Sequence, residues 1–228
     1  MDIEQFEYSK RHFPYELCAL YWNEHSWKRD EFVKHFTRDK IANMTIEEYV
    51  VGFGDTTTYC YGLWRGLMRL ANISSAFPTA FGVYYNQKKK SYVADKARWL
   101  DPDKAFEQMK SLILELIDAG EKEDLETLAN NPINSMVKGK ILCTYFPSRY
   151  ISICAENHID YYMKAYDLYN NSTKSLNPVY KRELLLDFKN NDTIMKKWTL
   201  DQYAFFMWDV FPKSPGIRGK EKNKKASL

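Results

Sequence analysis

The chain has 228 residues, 45% hydrophobic and 28% charged, which are the proportions of a globular domain rather than of a disordered or membrane-embedded chain. Its formal charge is +3, but residues 212–228 hold Lys213, Arg218, Lys220, Lys222, Lys224 and Lys225 against Glu221 alone. That tail carries +5 and leaves about −2 for residues 1–211, so the overall balance does not mark a nucleic-acid-binding domain; only a local patch can.

The first ten residues are acidic and polar and lack the pattern of a secretory leader. No apolar run approaches the roughly 18 residues that a spanning helix needs. Residues 14–36 place Leu17, Leu20, Tyr21, Phe32 and Phe36 at helical spacing, interrupted by polar residues 23–26, which predicts two short helices. Thr45 followed by Glu48 has the form of a capping box, and Gly52-Phe-Gly-Asp55 ends the helix that it starts. Thr58 caps a further helix over about 58–70, striped by Leu63, Leu67 and Leu70 and widened by Tyr61, Trp64 and Met68.

The period then changes. Ala80-Phe-Gly-Val-Tyr-Tyr85 and Ser91-Tyr-Val-Ala94 flank a polar Asn86-Gln-Lys-Lys-Lys90 turn and predict a β-hairpin. Asp101-Pro-Asp103 opens a helix over about 103–119, ended by Gly120, and a short helix follows near 121–129. The alternating runs 140–146 and 150–154, joined by Pro147-Ser-Arg149, predict a second hairpin. Helices over 156–169, 179–189 and 198–210 complete the pattern. The expected fold class is α+β: a mixed or antiparallel sheet built from hairpins, packed with several α-helices, with a flexible basic tail. Residues 1–211 are expected to form one α+β domain, with 1–43 a helical extension, and 212–228 a linker.

Catalytic signatures are absent from the sequence. There is no GxxxxGK[ST] loop, no GxGxxG with its acidic partner, no HExxH and no paired-cysteine metal spacing. Cys18, Cys60, Cys143 and Cys154 lie singly among apolar residues, as small hydrophobes of a reducing cytoplasm. No catalytic residue, metal ligand or cofactor is assigned, and the chain is read as a binding module. Its 17 Tyr, within a 16% aromatic content, suit half-buried contact surfaces.

Two patches suggest a ligand. Lys88, Lys89 and Lys90 at the hairpin tip, with Lys96 and Arg98 beyond, are flanked by Tyr84, Tyr85, Tyr92 and Trp99; exposed cations reach phosphates while rings stack on bases. The plainer reading is a solvated turn whose lysines protect a strand edge. Arg65 and Arg69 lead into Ser74 and Ser75, a basic turn and polar loop that suit phosphate or merely connect two elements.

From residue 44 to 166 the order of motifs resembles a known pattern. The Thr45-Ile-Glu-Glu-Tyr-Val50 helix and glycine turn lead to an aromatic helix, Tyr59-Cys-Tyr-Gly-Leu-Trp64, then the loop Ser74-Ser-Ala76 and strand Phe81-Gly-Val-Tyr-Tyr85. Lys138-Gly-Lys-Ile-Leu-Cys-Thr-Tyr-Phe-Pro147 and Tyr150-Ile-Ser-Ile-Cys154 follow. This resembles the N-terminal region preceding the AAA+ motor in McrB-like proteins of modification-dependent restriction systems. The resemblance implies a DNA-binding specificity domain of a defence system that senses modified double-stranded DNA. The GTPase or ATPase motor would lie further along the polypeptide, and a separate nuclease subunit would cut. A modified base extruded from the duplex would need an aromatic pocket, for which Trp64, Tyr85 and Trp99 are the candidate rings. The competing expectations are a scaffold domain that docks a motor or nuclease subunit, and a small enzyme whose site is assembled from distant residues.

Overall fold

The structure is a computed structural model that describes residues 3–73, 76, 78–95 and 101–211. Residues 3–43 are helical in three pieces: α1 (Ile3–Arg11), α2 (Tyr15–His35) and α3 (Arg38–Asn43). The polar stretch at 23–26 does not break α2, which corrects the expected helix pair. No Gly or Pro lies between residues 15 and 35, and Asn, His and Ser cost a helix only tenths of a kcal/mol each.

The capping box at Thr45 is present. Thr45 Oγ1 accepts from Glu48 N, and Glu48 Oε2 accepts from Thr45 N at 2.8 Å, opening α4 (Ile46–Tyr49). Thr58 likewise caps α5 (Tyr59–Tyr61), but the expected helix to residue 70 does not continue as such. It widens into a π turn over Gly62–Gly66, closed by Leu67 N donating to Gly62 O at 2.8 Å, and then unwinds through turns. Close packing explains the glycine at the widening: a Cβ on Gly62 would stand 2.6 Å from the Phe32 ring.

The first hairpin forms, with β1 (Val83–Asn86) antiparallel to β2 (Ser91–Ala94), Val83 opposite Ala94 and Asn86 opposite Ser91; Ala80 and Phe81, expected in its first strand, lie instead in a 3-10 turn over Pro78–Phe81. After it come α6 (Pro102–Glu121), α7 (Leu125–Asn130), α8 (Ser135–Tyr145), α9 (Glu156–Ala165), α10 (Pro178–Asn191) and α11 (Leu200–Val210). The protein is therefore α+β, with a small hairpin sheet set among helices.

The second hairpin is not formed. Asn134 Oδ1 caps the N-terminus of α8, and Val137 through Thr144 are all buried, so the apolar run has no exposed face to show a helical period. A run buried on every side reads alike as strand or helix. Residues 150–154 are neither strand nor helix, and their alternation has a structural meaning. Tyr150 and Cys154 enter one hydrophobic cluster, and Ile151 and Ile153 enter another. The first cluster gathers Phe32, Tyr49, Leu63, Val83, Ile113 and Ile141; the second gathers Phe6, Ile159, Tyr162, Leu185, Tyr203 and Phe206. Residues 150–154 are the seam between them. Its carbonyls bond to an arginine rather than to a strand: Arg182 Nε donates to Ile153 O at 3.0 Å and Nη2 to Cys154 O at 2.8 Å.

Among the described residues no helix is long and apolar enough to cross a membrane. The basic tail lies outside the described residues.

Candidate nucleic-acid interface

The hairpin is held at its base and free at its tip. Tyr85 N donates to Val51 O at 2.9 Å, and the Gln87 side-chain amide donates to Gly52 O at 2.6 Å, so the loop before α5 lies along β1. At the tip, Asn86 Oδ1 accepts from the backbone N–H of Lys88 and Lys89, and Lys90 takes a left-handed φ of 53°. These bonds fix the turn and turn three consecutive lysines outward. All three are exposed, and none enters an ion pair among the described residues. Lys90 makes only a long contact, 3.5 Å, to the Gln87 side chain.

Aromatic rings back this tip. Tyr85 and Tyr92 are cross-strand partners with ring centroids 5.3 Å apart, edge to face. Phe53, from the Gly52–Gly54 loop, meets the Tyr85 ring edge-on at 4.7 Å and lies nearly parallel to Tyr92 at 6.4 Å. Phe53 is 46% exposed. Sequence reasoning passed over it because a glycine-flanked residue reads as part of a turn; a bulky ring between two glycines was the available signal. Tyr92 also donates through its hydroxyl to Glu47 at 2.7 Å. Partial burial and then this carboxylate push the Tyr92 phenol up to about 12, while the same bond holds the Glu47 carboxyl below its usual range. Tyr92 is thus a neutral donor at physiological pH.

The second predicted patch is laid out differently. Trp64 is half-buried against the first cluster, and the Arg65 guanidinium stacks over its ring at 4.0 Å. Cation–π stacking leaves that face of the indole covered. Arg69 is exposed and lines a cavity of about 340 Å³ together with Asn72, Ser152, Phe205 and Trp208. Ser74, Ser75, Lys96, Arg98 and Trp99 lie outside the described residues. Of the predicted site residues, the structure therefore joins Lys88, Lys89, Lys90 and Tyr85 on one hairpin, and sets Trp64, Arg65 and Arg69 on the π turn and the turns after it.

A separate cleft of about 540 Å³ is rich in charge, but its described charges largely answer one another. Arg149 bonds Glu123 at 2.8 Å and Glu183 at 2.7 Å, and Arg29 bonds Asp201 at 3.2 Å. Burial pushes the Asp201 carboxyl above its ordinary value, with Arg29 opposing the shift. Among the described residues no group of three or more His, Cys, Asp or Glu side chains is placed to hold a metal ion. No protein-family model, curated protein or solved structure matches the chain.

Proposed function

We propose that the chain is a DNA-binding specificity domain, of the kind that precedes the motor of a restriction or defence AAA+ protein in the cytoplasm. The observation that carries this reading is the hairpin tip: three exposed lysines, outside any ion pair among the described residues, beside a partly exposed Phe53–Tyr85–Tyr92 cluster. A two-stranded ribbon has the dimensions that the DNA major groove admits, and each lysine brought to a phosphate releases condensed counterions. The rings supply a surface on which a sugar or an unstacked base packs. Sensing of a modified base, and an association with a motor and a nuclease subunit, extend this reading along the sequence resemblance.

The test is a binding panel of unmodified, cytosine-modified and adenine-modified duplexes at two salt concentrations. The parent binds with a steep salt dependence, and changing Lys88, Lys89 and Lys90 together to Glu lowers affinity at low salt and flattens the salt slope by about 3. Equal binding by parent and variant at both salts overturns the assignment. A second reading, docking of a protein partner, draws on Leu20 and Trp27, which are 65% and 56% exposed on α2. It is favoured if no duplex in the panel binds.

A further inference from the structure

Where the two clusters meet, they leave a cavity of about 340 Å³, within the range of small-molecule sites. Leu70 and Ala71 bring the first cluster to it, Ala204 brings the second, and Ser152 comes from the seam itself. Junctions between packed units are where such sites concentrate.

One side of the cavity is aromatic. Ala204 and Trp208 are one turn apart on α11, with Phe205 next to Ala204, and all three line the cavity. The Trp208 indole is 38% exposed, yet its orientation is braced edge to face by the His158 ring at 5.0 Å and the Tyr162 ring at 6.1 Å. A partly exposed ring held in place suits stacking on a planar ligand.

The other side is polar and cationic. It is the run from Met68 to Asn72, which follows the π turn and has left the helix. Lys140, buried on α8, anchors this run by donating to Leu67 O at 2.6 Å and Ala71 O at 2.8 Å. Arg69 and Asn72 line the cavity from the run so anchored, and no carboxylate lines it among the described residues. The guanidinium favours an anion, above all a phosphate. The Asn72 amide and the Ser152 hydroxyl each offer both a donor and an acceptor, which matches the mixed edge of a nucleobase.

We propose that this cavity binds a free mononucleotide. Its base packs against Trp208 and Phe205, Asn72 and Ser152 meet the base edge, and Arg69 takes the phosphate. The site is separate from the hairpin tip, which is built from other elements, and it stands whether or not that tip binds DNA.

Calorimetric titration of the full-length chain with the adenosine, guanosine, cytidine and uridine monophosphates, and with the matching nucleosides, tests it. At least one monophosphate binds one to one with a Kd of about 1 mM or tighter. Arg69→Gln, at an exposed position, weakens that nucleotide about tenfold and leaves its nucleoside unchanged, because one charge-assisted hydrogen bond is lost. Trp208→Leu weakens nucleotide and nucleoside alike, by about tenfold, since stacking is common to both. The variant with Lys88, Lys89 and Lys90 changed to Glu binds the nucleotide as the parent does, and excess duplex does not displace it. If no monophosphate binds, or if Arg69→Gln fails to separate nucleotide from nucleoside, the proposal is overturned. Displacement by duplex overturns it too, and assigns the cavity to the DNA surface. Arg69→Gln decides the matter alone if Trp208→Leu does not fold.

Discussion

Gly52 stands where the loop before α5 meets the hairpin. Its φ is +98°, and a Cβ there would lie 2.1 Å from the Tyr85 carbonyl oxygen. Both the conformation and the contact exclude a side chain, so Gly52→Ala costs about 2–3 kcal/mol, read as a lower urea midpoint. Lys138 offers a test of different kind. Burial, with Arg182 adding to it, holds its ammonium down to about 8 from an ordinary 10.5. The folded chain releases this proton from about pH 8, whereas the unfolded chain keeps it to about 10.5. In that window the unfolded state binds more protons, so the Lys138 contribution to stability grows as pH rises through it and is lost as pH falls. Stability of the parent minus that of Lys138→Met, measured in urea, rises between those limits; a flat difference refutes the assignment. Neither feature was fully legible in the sequence. The turn at Gly52 was read correctly but not the close carbonyl that demands glycine, while Lys138 precedes the run expected as a strand and Lys140 opens it, and nothing local marks either as buried.

At the level of elements, what was legible is what short-range chemistry decides. Capping residues marked helix starts well: Thr45, Thr58 and Asp101 each accept backbone N–H bonds as their sequence contexts imply. Asp101 Oδ1 accepts from Asp103 N and Lys104 N, so Asp101→Ala destabilises the protein by about 1 kcal/mol, measured as a drop in thermal midpoint. The hairpin was equally plain, because a polar turn separates two short β-rich runs. Where burial is complete, local pattern loses its meaning. The run that became α8 has no solvent face, and residues 150–154 satisfy their alternation by dividing two cores rather than by pairing with a strand. The candidate site shows the same division. The lysines and Tyr85 were visible from local sequence, whereas Phe53 joins them only because the fold lays residues 51–53 along the hairpin.

Across the whole molecule, the two clusters meet at the seam, and that junction is polar within. Arg182 is the common tie, reaching Ser135, Ile153 and Cys154 from α10. Replacing it with Ala frees the buried carbonyls of Ile153 and Cys154 together, a loss of about 3 kcal/mol or more. The predicted signature is a shared fall in stability, seen equally by probes in either cluster. A fall confined to one cluster contradicts the role of the seam as their coupling.

This tie also orders events during synthesis. Residues 135 and 150–154 leave the ribosome well before Arg182, which must be present to take their carbonyls. A nascent chain therefore carries Ile151 and Ile153 without their closing partner until α10 has emerged. Chaperones that recognise short apolar stretches have that interval in which to act.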